Sequence, residues 1–176
     1  MKDPNNLTAL AILVSRCEGA GLYSDPEIAE CNRYALQGLG ALDANQPNIS
    51  SQALVSTREN FASWLGISAL QKNEYPEAQR YLQMAEDLAP GQYFGVVYSL
   101  ALAYLNAPKP NCEKGLWYIA RATHLAAISR YSDLNAFGQK KTVEFHGKEA
   151  QWKGILKQAS RSSTPPAGFV INCSAK

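Results

Sequence analysis

Four cysteines and two histidines are the side chains of this chain with the widest chemical repertoire. Cys17, Cys31, Cys112 and Cys173 form no C-x-x-C pair, and His124 and His146 stand apart from them in sequence. Zinc-finger spacing is therefore absent, and no metal site is expected. No H-E-x-x-H, G-x-S-x-G, P-loop or G-x-G-x-x-G motif occurs. Glu144 and His146 are close in sequence, but at that spacing a helix points them to different sides, so they make no acid–base pair. His124 falls on an apolar-faced segment near Arg121 and reads as a packing or surface residue. His146 ends a helical stretch, where an imidazole suits the negative end of the dipole. These residues predict a chain without catalytic activity and without a cofactor.

The cysteines have a second use. An even count permits two disulfides in three pairings. Cys17 ends one predicted helix and Cys31 lies just inside the next, so in an antiparallel hairpin they would stand at similar heights. Cys112 falls in a proline-rich loop and Cys173 in the C-terminal tail, where a crosslink would pin a loose end. The other reading is four unrelated reduced thiols, two of them buried as small hydrophobes. The paired reading points to an oxidising compartment, periplasmic or secreted, with the cytoplasm as the alternative.

Composition narrows the class. The 176 residues suit one domain or a short array of small units, and 46% hydrophobic residues is ordinary for a folded protein. A net charge of +2 supplies no basic field for nucleic acid. Only 18% of residues are charged, against roughly 25% in typical soluble domains. No run approaches the roughly 20 apolar residues of a membrane span. Leu7 to Val14 follows Lys2, but Asp3, Pro4 and the shortness of the run favour an ordinary first helix over a signal core.

Helical spacing of apolar residues dominates, with no clear strand alternation. A first helix is expected over about 6–18, stopped by Gly19 and Gly21. Asp25 and Pro26 open a second, to about Leu42. Asp43 to Asn48 is a turn-rich linker, and Ser50 or Ser51 caps a third helix reaching Lys72. A fourth begins near Pro76 and stops before Pro90-Gly91. The fifth covers 93–105, the sixth runs from Glu113 to about Ile128, and a last pair occupies 133–145 and 148–159, broken at His146-Gly147. After Ser160 the tail is too rich in proline for a helix. Phe169, Val170 and Ile171 are too apolar for a solvated end, so it is expected to dock.

Helices joined by short turns call for a repeat search. Over 59–92 the chain carries Leu65-Gly66, Ala69, then Tyr75, Glu77 and Ala78, then Tyr81, Leu82, Ala85 and Leu88, closed by Pro90. This pattern resembles one complete tetratricopeptide repeat, whose period is about 34 residues. A weaker copy over about 94–127 has Leu100, Ala101 and Tyr104, then Gly115, Ile119 and Ala122. The hairpins 6–42 and 133–159 have the right shape with degenerate motifs. His146-Gly147 followed by Thr164 to Phe169 is similar to the C-terminal end of some bacterial members of the family. The resemblance implies an all-α fold, a short right-handed superhelical solenoid of seven or eight helices in antiparallel hairpins. Residues 1–160 would form one domain, with 161–176 as an extended docked tail.

The resemblance also implies a mode of action. Such arrays bind a peptide or protein in a concave groove lined by the first helix of each repeat. Carried over one by one, the groove positions are Asn60, Ser63, Ile67, Leu70 and Gln71, followed by Gly95, Tyr98, Leu102, Leu105 and Asn106. Members that clamp a terminal carboxylate use lysine, asparagine and arginine at places held here by Ser63, Trp64 and Ile67, then Gly95, Ser99 and Leu102. The clamp is missing, so acidic C-terminal peptides are not the expected ligands. The groove is expected to be apolar and aromatic, open to a protein partner or covered by the chain's own tail.

Overall fold

A computed structural model describes residues 6–19, 25–44, 52–171 and 173. Eight α-helices and no strand lie among them, so the chain is all-α as its periodicity predicts. It divides into two compact units, residues 1–89 and 90–176.

The first unit holds α1 (Leu7–Gly19), α2 (Asp25–Ala44), α3 (Gln52–Gln71) and α4 (Tyr75–Leu88). Three of these bury a single stripe. Leu10, Val14 and Cys17 recur at helical spacing on α1, and Ile28, Cys31, Ala35, Leu39 and Leu42 on α2. Ala78, Leu82 and Ala85 do so on α4. The third helix differs: Phe61 to Gly66 are all buried, because α3 packs against α1, α2 and α4 at once. A helix apolar on every side must be surrounded.

Consecutive packing of this kind is compatible with a helical solenoid. The second helix runs to Ala44, so Asp43 and Ala44 of the expected linker are helical; the rest of that linker, the capping residues expected at 50 and 51, and Gly21 lie outside the described residues. Between α3 and α4 the turn is short. Asn73 takes a left-handed φ of 59°, the Glu74 amide donates to the Ala69 carbonyl at 2.9 Å, and Pro76 fixes the new helix. So short a connection between packed helices forces them antiparallel.

The second unit holds α5 (Phe94–Leu105), α6 (Cys112–Leu125), α7 (Ile128–His146) and α8 (Ala150–Ala159). Here α6 is the central helix, with Gly115 to Thr123 all buried and α5, α7 and α8 packed upon it. Asn111 caps it by accepting from the Lys114 amide at 3.0 Å. Cys112, expected in the loop, is the first residue of α6, α8 begins at Ala150 rather than Lys148, and two boundaries differ by more. The sixth helix ends at Leu125 rather than Ile128, and the seventh begins at Ile128 rather than Asp133. Ala126 and Ala127 take extended ψ angles of 142° and 152°. Two alanines give no stop signal, and apolar Ile128 imitates one more packing position. It is in fact 96% exposed, so the break is set by packing of α7 back along α6 and not by local propensity.

Gly66 shows how tightly the first unit closes. A Cβ there would stand 2.5 Å from Leu82 Cγ and 2.9 Å from the Leu82 amide nitrogen, and backbone cannot step aside. Gly40 on α2 is exposed, with nothing within 4 Å of such a Cβ. Gly66→Ala is therefore expected to destabilise by about 1–3 kcal/mol through overpacking. Gly40→Ala should stabilise by about 0.5–1 kcal/mol through helix propensity. Urea unfolding of the two variants checks the opposite signs.

Candidate functional site

The carried-over groove positions fall into two sets, one in each unit. On α3, Asn60, Ile67 and Leu70 are half-buried, Gln71 is exposed and Ser63 is buried. On α5, Gly95 is exposed and Tyr98 and Leu102 are half-buried, while Asn106, the residue that ends the helix, is exposed. Leu105 is buried at 4% exposure and lies over Gly115 of α6, so it faces the hairpin partner.

Within the second unit Tyr98 belongs to a cleft of about 310 Å³ with Phe94, Arg130, Asp133 and Leu134. The Phe94 and Tyr98 rings, one helical turn apart, are parallel within 7° with centroids 5.7 Å apart. Leu134 is buried, and the Arg130 guanidinium stands 5.8 Å from the Phe94 centroid. The cleft thus combines two aromatic faces, one aliphatic side chain and one charge of each sign. Tyr93 and Tyr131, their chain neighbours, are each 48% exposed. Phe94, Arg130 and Asp133 are absent from the sequence-derived set. Starting the seventh helix at Ile128 would have placed Arg130, Asp133 and Leu134 on one face.

A second cleft, of about 460 Å³, lies between α7 and α8 and includes Asn135, Gln139, Glu149 and Trp152. Its polar groups satisfy one another. Trp152 Nε1 donates to Asn135 Oδ1 at 2.8 Å, and the Gln139 amide donates to Glu149. Trp152 also fills the space above Gly138, so this cleft reads as helix packing.

The cysteines stand as two pairs at disulfide distance. Cys17 and Cys31 have Cα atoms 6.3 Å apart, and both lie in the apolar core of the first unit. Cys112 and Cys173 have Cα atoms 6.2 Å apart; Cys112 is buried and Cys173 exposed.

The tail follows from that second bond. Phe169 packs edge-on against Trp117 with centroids 4.9 Å apart, and Ile171 is 4% exposed. The Ile171 amide donates to Glu113 Oε2 at 3.1 Å, while Val170, between them, is 66% exposed. This is the in–out alternation of an extended chain laid on a surface. The same segment borders Gln151, Ile155 and Gln158 of α8. Arg121 is buried and donates from Nη1 to the Ala159 carbonyl at 2.7 Å, tying α6 to the end of α8.

The remaining chemical candidates do not assemble. His124 is exposed, and Glu144 pairs with Lys141 at 3.0 Å rather than turning to His146. His146 sits half-buried in the last turn of α7. Tyr34 donates to Glu30, and that hydrogen bond raises its phenol above the usual range, so it stays protonated at neutral pH. No protein-family model, curated protein or solved structure matches this chain.

Phe169→Ala removes the aromatic body of the tail contact and should cost about 2 kcal/mol. Val170→Ala should stay within about 0.5 kcal/mol. Chemical denaturation of the disulfide-intact protein distinguishes the two.

Proposed function

We propose that this chain is a tetratricopeptide-type helical-repeat protein, non-enzymatic, that works in an oxidising compartment and holds an apolar segment of a partner protein. The ligand contacts centre on the cleft of Phe94, Tyr98, Arg130, Asp133 and Leu134. The observation that carries this reading is the parallel Phe94–Tyr98 pair, half-buried and facing open space beside Leu134.

Aromatic faces of this kind gain most from an apolar side chain that leaves water with them, and the Tyr98 hydroxyl adds a polar handle for a peptide carbonyl. Arg130 and Asp133, three residues apart on α7, can fix the direction of a bound segment through its own charges. The absence of clamp residues at Ser63, Trp64, Ile67, Gly95, Ser99 and Leu102 argues against terminal carboxylates as the anchor. Two cysteine pairs at disulfide distance favour a periplasmic or secreted setting.

A structural subunit with its groove closed by its own tail is the competing reading. The tail contacts with Glu113 and Trp117 on α6 and with α8 favour the open cleft.

A panel of labelled extended peptides with Leu, Phe or Trp anchors tests the proposal by fluorescence anisotropy. Tyr98→Ala should weaken the best binder about tenfold or more, with Val170→Ala unchanged and helical circular dichroism preserved in both. Equal affinity for Tyr98→Ala and the native protein, or no binding by any member of the panel, would sink it.

A further inference from the structure

The two cysteine pairs are chemically unlike, and the difference assigns them different roles. Cys17 and Cys31 are 6% and 7% exposed within a cluster that includes Leu10, Val14, Leu39 and Trp64. No thiol reaches them unless the first unit opens. Cys112 and Cys173 border an open surface cleft of about 470 Å³, and Cys173 is the exposed partner. Cys112 is buried as the first residue of α6, and Lys109 lines the same cleft.

We infer that the Cys112–Cys173 bond is a thiol–disulfide exchange site for a dithiol reductant, and that its opening releases the C-terminal tail from α6. The attacking thiolate has access to Sγ of Cys173. A new sulfur–sulfur bond forms there, the bond to Cys112 breaks, and the electron pair leaves on Cys112 Sγ. The second thiol of the reductant then attacks the mixed disulfide and frees Cys173 as a thiolate. Two cysteine thiols and one oxidised reductant result.

The direction of attack follows first from access, because Cys173 is exposed and Cys112 is buried. A thiolate at a helix N-terminus with an ammonium nearby is stabilised, and a thiol of lower pKa leaves faster. Attack at Cys173 leaves the buried sulfur of Cys112, at the start of α6, as the leaving group.

Once the bond opens, only non-covalent contacts hold the tail. The hydrogen bonds of 162–169 are local, from Ser162 to Thr164 and from the Phe169 amide to Pro166. The docked contacts are then non-covalent: Phe169 on Trp117, buried Ile171, the Ile171 amide to Glu113, and the border of 166–170 with α8. Trp117 Nε1, buried beside Phe169, has no acceptor among the described residues, which weakens the docked state. The loss of the covalent link therefore shifts the tail toward solvent and uncovers Trp117.

The native oxidised protein is treated with graded dithiothreitol, quenched by alkylation and mapped by mass spectrometry. Cys112 and Cys173 should open at least tenfold faster than Cys17 and Cys31, without loss of helical circular dichroism. With reduced glutathione the mixed disulfide should form on Cys173. Hydrogen exchange at the Ile171 amide should rise at least tenfold on reduction and in Cys173→Ser. Simultaneous opening of both pairs, a glutathione adduct on Cys112, or unchanged exchange at Ile171 in folded Cys173→Ser would overturn the inference. None of these readouts depends on peptide binding at Tyr98, so its failure and that of the proposed function are separable.

Discussion

Each unit of this protein is built around one helix whose central turns are shut off from water. In the first unit it is α3, in the second α6, and both are buried on all sides through their central turns. Such a helix cannot hold its place by an amphipathic stripe alone, because its burial needs neighbours on several faces at close range. The close range is supplied by glycine. Gly66 of α3 accepts Leu82 of α4, and Gly38 of α2 accepts the Phe61 ring of α3. Gly115 of α6 accepts Leu105 of α5 in the same way. One partner is reduced to its backbone so that the other can be large, and the interface closes without a void. Gly138 beneath Trp152 repeats the device between α7 and α8.

Surrounding a helix also traps polar groups, which must then be satisfied inside. Asn32 on α2 does this for α3, accepting from Trp64 Nε1 at 2.8 Å and from Ser68 Oγ at 2.9 Å. Asn135 does it for Trp152 at 2.8 Å. Buried Thr123 and Thr142 donate back to carbonyls one turn earlier, at 2.8 Å in each case. Arg121 is the costliest group to bury, and its hydrogen bonds to Ala159 and Gly91 make α6 the point where the ends of several segments of the second unit meet. Gly91 has a φ of +64° and lies so close to this guanidinium that a Cβ there would meet Nη2 at 2.3 Å.

Much of the fold was legible because the signals were local. Pro76, Gly147 and the apolar stripes of α1, α2 and α4 each act within a few residues of themselves. The cysteine pairs could be read as far as their compatibility with a hairpin and a tail. What was not legible depended on contacts made at a distance. Ala126-Ala127 breaks a helix despite the highest intrinsic propensity for one, because α7 gains by lying along α6. Leu105 looked like a groove residue by repeat position, yet Gly115 draws it to the hairpin interface. The cleft at Tyr98 was half visible: Tyr98 on α5 was named from the repeat resemblance, but the α7 side depended on that unseen break.

On the proposed function, the tail and the cleft would be two solutions to holding an extended or apolar segment on the second unit. On α6 the segment is the chain's own, and it binds by alternation: Phe169 and Ile171 inward, Val170 outward, with one backbone amide given to Glu113. Such a contact buries little area, and ordering an otherwise loose end opposes it. A covalent bond at Cys173 offsets that entropy by keeping the segment beside its surface whether or not it is docked. At Tyr98 no such tether exists, so a ligand must overcome the full cost of association through its anchors alone. Two parallel rings and a buried leucine are a small surface for that purpose. Affinity there must come from how completely one or two apolar side chains fill the cleft, with Arg130 and Asp133 contributing orientation more than strength. The aromatic pair is thus expected to set whether a segment binds, and the two charges which way round it lies.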